Sequence, residues 1–120
     1  MANPSEIVTG AGTEVLRRYY ASTQSAAWVV MINGVEDHIY TVLSLTIAET
    51  SNTVEDIGLR IMIDGSTECT IIEAGGEVLP AKGTFIWNDK LVLTGTDQLE
   101  VYVSTGDMDI YCSYIDQDWN

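Results

Sequence analysis

His38 is the only histidine in the chain, and so the one side chain with an ordinary pKa suited to general-base work at neutral pH. Nucleophilic catalysis also needs a hydroxyl or thiol and a group that orients the base. Neither Cys69 nor Cys112 lies near His38 in sequence, and no Gly-x-Ser-x-Gly elbow occurs. His38 stands at the entrance of a strand pattern, the usual place of a surface or edge residue. Carboxylate pairs are frequent: Glu36-Asp37, Glu55-Asp56, Asp107 with Asp109, and Asp116 with Asp118. With 18 acids in 120 residues such pairs arise by chance. Acid–base catalysis wants one carboxyl raised in an apolar cleft, whereas acids in loops are expected to be solvated. Asp107 and Asp109 share a face only where the chain is extended, and no EF-hand or repeat-type calcium loop is present. Thr9–Thr13 has the glycines of a phosphate loop without its lysine, preceding strand or following helix. These residues predict no catalytic residue, no cofactor and no metal; the chain does not read as an enzyme.

Two further residue types can carry function. Cys69 and Cys112 are 43 positions apart and fit no metal spacing. Each lies in an apolar strand-like run, so two buried thiols are expected rather than a disulfide. The aromatic residues include Trp28, Trp87, Trp119, Tyr19, Tyr20, Tyr40, Tyr102, Tyr111 and Tyr114. Such rings fill cores, line carbohydrate platforms or anchor protein interfaces. Trp119 is next to last, after the polar run Asp116-Gln117-Asp118. Its ring must either fold back or dock on a partner.

The elements that would position these residues are almost all strands. The one helical candidate, Glu14–Tyr20, reads at least as well as a strand because of Tyr19-Tyr20. From His38 to Glu49 the odd positions carry Ile39, Thr41, Leu43, Leu45 and Ile47, which predicts one face in the core and a mixed second face. Leu59-Ile61-Ile63, Leu99-Val101-Val103 and Met108-Ile110-Cys112-Tyr114 alternate in the same way. Runs at 27–32, 67–73, 84–87 and 90–93 complete the set. Asn33-Gly34 is the strongest short-range hairpin signal, and Asp64-Gly65 separates the next pair. Asn88-Asp89 and Gly95-Thr96-Asp97 form tight links, and Thr105-Gly106-Asp107 a last hairpin. Gly75-Gly76 and Pro80 bound a longer loop, and residues 51–56 read as polar and exposed. About eight short antiparallel strands at roughly ten-residue spacing predict an all-β fold, a single β-sandwich or jelly-roll-like domain over residues 13–120. Residues 1–12 predict a flexible N-terminal arm.

Composition narrows the partners. Of the chain, 46% is apolar, enough for one core. Eighteen acidic residues against five basic ones give a net charge of −13. Phosphate backbones are bound through clustered cations, so nucleic acid is excluded as a partner, and acidic membrane surfaces are disfavoured. The N-terminus has no basic region followed by an apolar run, and the longest apolar stretch, 26–32, is too short to span a bilayer. Synthesis in a cytoplasm is expected.

Several strings resemble one family. They are Val8–Arg18 (VTGAGTEVLRR), His38–Ile47 (HIYTVLSLTI), Leu79–Leu93 (LPAKGTFIWNDKLVL), Asp97–Val101 (DQLEV) and Asp109–Gln117 (DIYCSYIDQ). Together they resemble small β-sandwich virion structural proteins of tailed bacteriophages, including phages of marine bacteria and cyanobacteria. The resemblance implies a capsid decoration or cement protein that binds and stabilises the major capsid shell. Its alternative is a neck or tail component, either a head–tail connector or a tail-tube-associated protein. It also implies a virion location after synthesis in the host cytoplasm, and partners that are the major capsid protein or other virion subunits, with homo-oligomers expected. It implies no catalytic residues. The candidate interface residues are Arg17, Arg18, Tyr19, Tyr20 and Trp119. A carbohydrate-binding module or adhesin on the same sandwich is the reading from a different class, and needs two exposed aromatic rings in a groove. A small hydrolase comes last, because the base is missing.

Overall fold

The computed structural model describes residues 13–23, 26–104 and 107–119. The expected arm at 1–12 lies outside them. The described residues form nine strands and no helix. They are β1 (Thr13–Thr23), β2 (Ala27–Asn33), β3 (His38–Glu49), β4 (Glu55–Ile63), β5 (Thr67–Leu79), β6 (Thr84–Trp87), β7 (Leu91–Thr94), β8 (Gln98–Val103) and β9 (Met108–Asp118). One sheet runs β1-β9-β3, with β6 and β7 both paired to β3; the other runs β2-β8-β4-β5. The segment 14–20, ambiguous in sequence, is strand, held to β9 in unbroken antiparallel register from Thr13↔Asp118 to Thr23↔Met108.

β6 pairs with Leu45–Ala48 and β7 with Ile39–Val42, so the two share one sheet position as an interrupted strand. With that position counted once, each sheet has four places. Nearly every connection crosses from one sheet to the other, which is the wrapping of a jelly-roll-like sandwich. This corrects two expected hairpins. Asn33-Gly34 joins β2 and β3, which lie in different sheets, and the link after Ser104 joins β8 and β9, also in different sheets. Only Asp64-Gly65 closes a hairpin, β4 to β5; φ is 53° and 73° at the two residues, and Ser66 N–H donates to Ile63 O.

The core lies between the sheets. Ile47, Leu93, Met108, Ile110 and Cys112 meet Ile32, Ile57, Leu59, Leu99 and Val101, all nearly inaccessible to solvent. Each such Leu or Ile contributes about 1.5–3 kcal/mol by burial. In β3 the buried residues are Tyr40 and Val42, then Leu45, Ile47 and Glu49. A bulge between Val42 and Ser44 shifts the pairing with β9 and swaps which parity faces inward. The single-parity expectation for this strand is therefore corrected. Gly75-Gly76 lie inside β5 as an irregularity in its pairing with β4, not in a loop.

The expectation of solvated acids is also corrected. Glu49, Glu55, Asp97, Glu100 and Asp116 are buried, and each is hydrogen-bonded. Glu55, assigned to an exposed stretch from sequence, opens β4; its Oε1 accepts from Ser104 Oγ at 2.6 Å and its Oε2 from Thr53 Oγ1 at 2.6 Å. Glu49 accepts from Lys82 N–H at 3.0 Å and from the Ser51 N–H and hydroxyl. Burial pushes this carboxyl up, but those hydrogen bonds together hold it below its ordinary value. Glu49 thus ties the chain after β3 to residue 82 through a backbone N–H, and Glu55 ties β4 to Ser104 through a hydroxyl.

Candidate interaction surface

His38 is half-buried and serves an ion-pair clamp. Its Nδ1 lies 2.7 Å from Asp116 Oδ1, and its ring stacks on Tyr40 at 5.7 Å. Arg17 Nε donates to the other oxygen, Asp116 Oδ2, at 2.8 Å. Asp116 on β9 therefore binds β1 on one side and β3 on the other. The hydrogen bond and charge of Asp116 raise the pKa of Arg17, and burial raises those of Tyr40 and Tyr114 beside it. The other ring nitrogen, Nε2, lies 3.6 Å from Asp118 Oδ2, so both nitrogens of His38 face carboxylates. Among the described residues no group of three His, Cys, Asp or Glu side chains is arranged to hold a metal. No helix among them is long and apolar enough to cross a membrane.

What the surface offers instead is an edge and a face. A sheet edge presents unpaired N–H and C=O groups, and proteins blunt such edges with breaks, bulges or charge. Three of the four edges are interrupted. β6 and β7 leave a gap opposite Leu43 and Ser44. β2 has a register shift between Val30 and Ile32, and β5 carries shifts around Leu59 as well as Glu68, Glu73 and Glu77. β1 has no break and no bulge, although it carries Glu14, Arg17 and Arg18. It is 11 residues long, without glycine or proline, and is regular along its whole length.

The outer face of the first sheet carries Leu16, Arg18 and Tyr20 from β1. Register places Tyr20 beside Tyr111, then Thr46 and Ile86. A second row runs Leu16, Ile115, Thr41, Val92. Between them lie Arg18, Ser113 and Ser44. These rows contain no acid, in a chain of net charge −13. Leu16 is 70% exposed, Ile86 62% and Tyr20 60%. Leu16, Arg17, Arg18, Tyr111 and Ser113 border a shallow depression of about 290 Å³. The outer face of the second sheet differs: Arg60 sits 3.9 Å over the Trp28 ring and bonds Glu100 and Glu68.

The candidate interface residues from sequence separate accordingly. Arg18 and Tyr20 point to the outer face; Arg17 points inward to Asp116, and Tyr19 packs against the core. Trp119 follows β9, its N–H donating to Asp37 O, beside the start of β1 and about seven residues along the strand from Tyr20. The residue is 51% exposed. Sequence reasoning missed Leu16, Ile86, Val92 and Tyr111; their alternation was visible, but which parity faced outward depends on the sheet assignment. Tyr20 and Tyr111 are neighbouring exposed rings, but they stand on an open face rather than in a groove.

The cysteines divide, correcting the expectation that both are buried. Cys112 is buried in the core, and burial pushes its thiol up to about 12. Cys69 is exposed, near the β4–β5 turn where β5 is an edge. Both are free. A thiol reagent at pH 8 is therefore expected to label one equivalent rapidly in the native protein and the second only on unfolding. Mass mapping should place the fast label on Cys69; fast labelling of Cys112 would contradict its burial.

No protein-family model matches the sequence. No curated protein matches it either. Solved structures do match in fold. VP2 of infectious bursal disease virus, from its subviral particle, superposes with a TM-score of 0.53 at 14% identity, over 92% of this chain and 34% of that one. A chain of the infectious bursal disease virus Gx strain gives 0.52 at 12% identity, over 91% and 33%. A chain of the Bacillus endospore appendages, described as disulfide-linked pili, gives 0.51 at 10% identity, over 94% and 95%. This chain thus spans about a third of the length of the virus chains and nearly all of the appendage chain. At these identities the likeness defines the fold class, an all-β two-sheet sandwich.

Proposed function

We propose that this chain is a virion structural protein that attaches to a capsid shell as a decoration or cement subunit. The observation that carries the reading is the set of acid-free rows across the middle of the first sheet's outer face, bordered by the uninterrupted β1 edge. A surface of that kind is costly to leave in water and suits protein contact. Two matters support the virion setting: the phage-type strings in the sequence and the fold shared with a particle-forming virus protein. Trp119, half-exposed beside the start of β1, extends the same surface. A neck or tail position uses the same surfaces, and copy number separates the two: hundreds per virion for a decoration protein, about a dozen or fewer for a ring.

The test is binding of the purified chain to capsids stripped of their accessory proteins. Tyr20→Asp combined with Ile86→Asp should weaken binding at least tenfold, about 1.4 kcal/mol or more, with the circular dichroism spectrum unchanged. Trp119→Ala should weaken it less, and Glu68→Ala on the opposite sheet should leave it intact. Equal binding by parent and double variant would remove this face from the contact.

A second reading, a subunit of a proteinaceous fibre, is favoured by the end-to-end fold match to the spore appendage chain together with the exposed thiol of Cys69. Electron microscopy of the purified chain distinguishes it; fibres, with Cys69 able to join copies only in pairs, would displace the capsid reading.

A further inference from the structure

We propose that two copies of this chain join edge to edge through β1, antiparallel about a two-fold axis at Leu16, so that the first sheet runs continuously across both. The proposal concerns the free protein and needs no capsid; it stands or falls apart from the virion reading.

β1 is the one edge among the described strands that nothing interrupts. It pairs with β9 through all 11 residues without a register shift. Its other side has backbone groups that only water or another strand can satisfy. The occupant follows from charge. At net −13, two copies repel each other across most of their surfaces. β1 holds Arg17 and Arg18, two of the five basic residues of the chain. Arg17 is paired with Asp116 and Arg60 with Glu100 and Glu68, which leaves Arg18 as the arginine with no ion pair among the described residues. A second copy brought along β1 therefore meets an unpaired cation, Arg18, among the described residues.

Register follows from the same residues. Side chains directly opposite in an antiparallel pair point to the same face, so even-numbered residues of β1 meet even-numbered ones. With Leu16 opposite Leu16, Glu14 of each copy faces Arg18 of the other. Arg18 makes no ion pair among the described residues, and Glu14 accepts only from Gln117 Nε2, at 3.1 Å. Shifting the axis to Arg17 or Arg18 sets like charges directly opposite. Shifting it further along β1 leaves Glu14 with no cation to face. The self-complementary patch is thus Glu14, Leu16 and Arg18, the isologous arrangement that closes a dimer.

The experiment is sedimentation of the full chain over a concentration series at neutral pH, with circular dichroism as the check on folding. The parent should sediment as a dimer. Glu14→Arg and Arg18→Glu, both at exposed positions, should each weaken the dimer at least tenfold. The double variant, Glu14→Arg with Arg18→Glu, should return to within about threefold of the parent, because the pairs are restored with signs exchanged. Amides of β1 should also exchange more slowly in the parent than in either single variant. A monomeric parent at every concentration would overturn the proposal. So would a dimer indifferent to both reversals, or single-variant losses that the double variant does not repair; the last outcome would mean a different register or a different occupant of the edge.

Discussion

Gly34→Ala is expected to destabilise the fold by about 3 kcal/mol or more, enough to leave a marginally stable domain largely unfolded near 37 °C. A Cβ built at residue 34 would lie 2.1 Å from the carbonyl oxygen of Gly95 and 2.4 Å from that of Asp97. Both obstacles are backbone, so no side-chain rotation relieves the clash. The Gly34 N–H donates to the same Asp97 carbonyl at 2.9 Å, which fixes the separation of the two chains. The β2–β3 crossing is therefore held against the β7–β8 crossing with no room between them. Gly95→Ala is the matched control. Residue 95 has φ of 58° and nothing within 4 Å of a built Cβ, so its cost is the left-handed conformation alone, about 1–2 kcal/mol. Urea denaturation of the two variants should give well-separated midpoints with Gly34→Ala the lower; equal midpoints would contradict the close approach.

Asp97→Ala is expected to cost about 2–5 kcal/mol, through stranded donors rather than lost packing. The Asp97 carboxylate is buried; its Oδ1 accepts from Asp64 N–H at 2.9 Å and its Oδ2 from Thr94 N–H at 3.1 Å. It joins the tip of the β4–β5 hairpin in one sheet to the end of β7 in the other. Removing it leaves two part-buried N–H groups without an acceptor. Asp97→Asn keeps one acceptor and turns an amide toward the other N–H, so an intermediate loss is expected. In hydrogen exchange the Asp64 and Thr94 amides should lose protection first; unchanged exchange at both would show that other acceptors replace the carboxylate.

The sequence revealed strands more readily than connections. Alternation in Leu59-Ile61 and Leu99-Val101-Val103 reported inward faces correctly because each strand is regular there. It failed in β3, where one bulge reverses parity midway and no residue type announces it. Asn33-Gly34 looked like a hairpin because turn propensity is local, whereas the partner of β2 is β8, about 70 residues away. Cys69 looked buried because its run is apolar, and it does pair with the core residue Ile61, but residues 67–70 at the hairpin end of β5 are all exposed. The interface residues were half legible. Tyr20 and Arg18 stood out by type, while Ile86 and Val92 became part of one surface only once β6 and β7 were seen on the same sheet as β1.

The register Thr13↔Asp118 has a mechanical consequence. The chain enters and leaves the described sandwich at adjacent points, on two strands that run antiparallel beside each other. Tension applied through those two points would not shear the sheets. It would pull β1 and β9 apart like a zipper, loading one backbone rung at a time from Thr13 toward Thr23, with the Arg17–Asp116 contact among the first to yield. A domain strung into a load-bearing line by both ends would open at low force. The same domain pressed sideways against a surface would keep every rung loaded together.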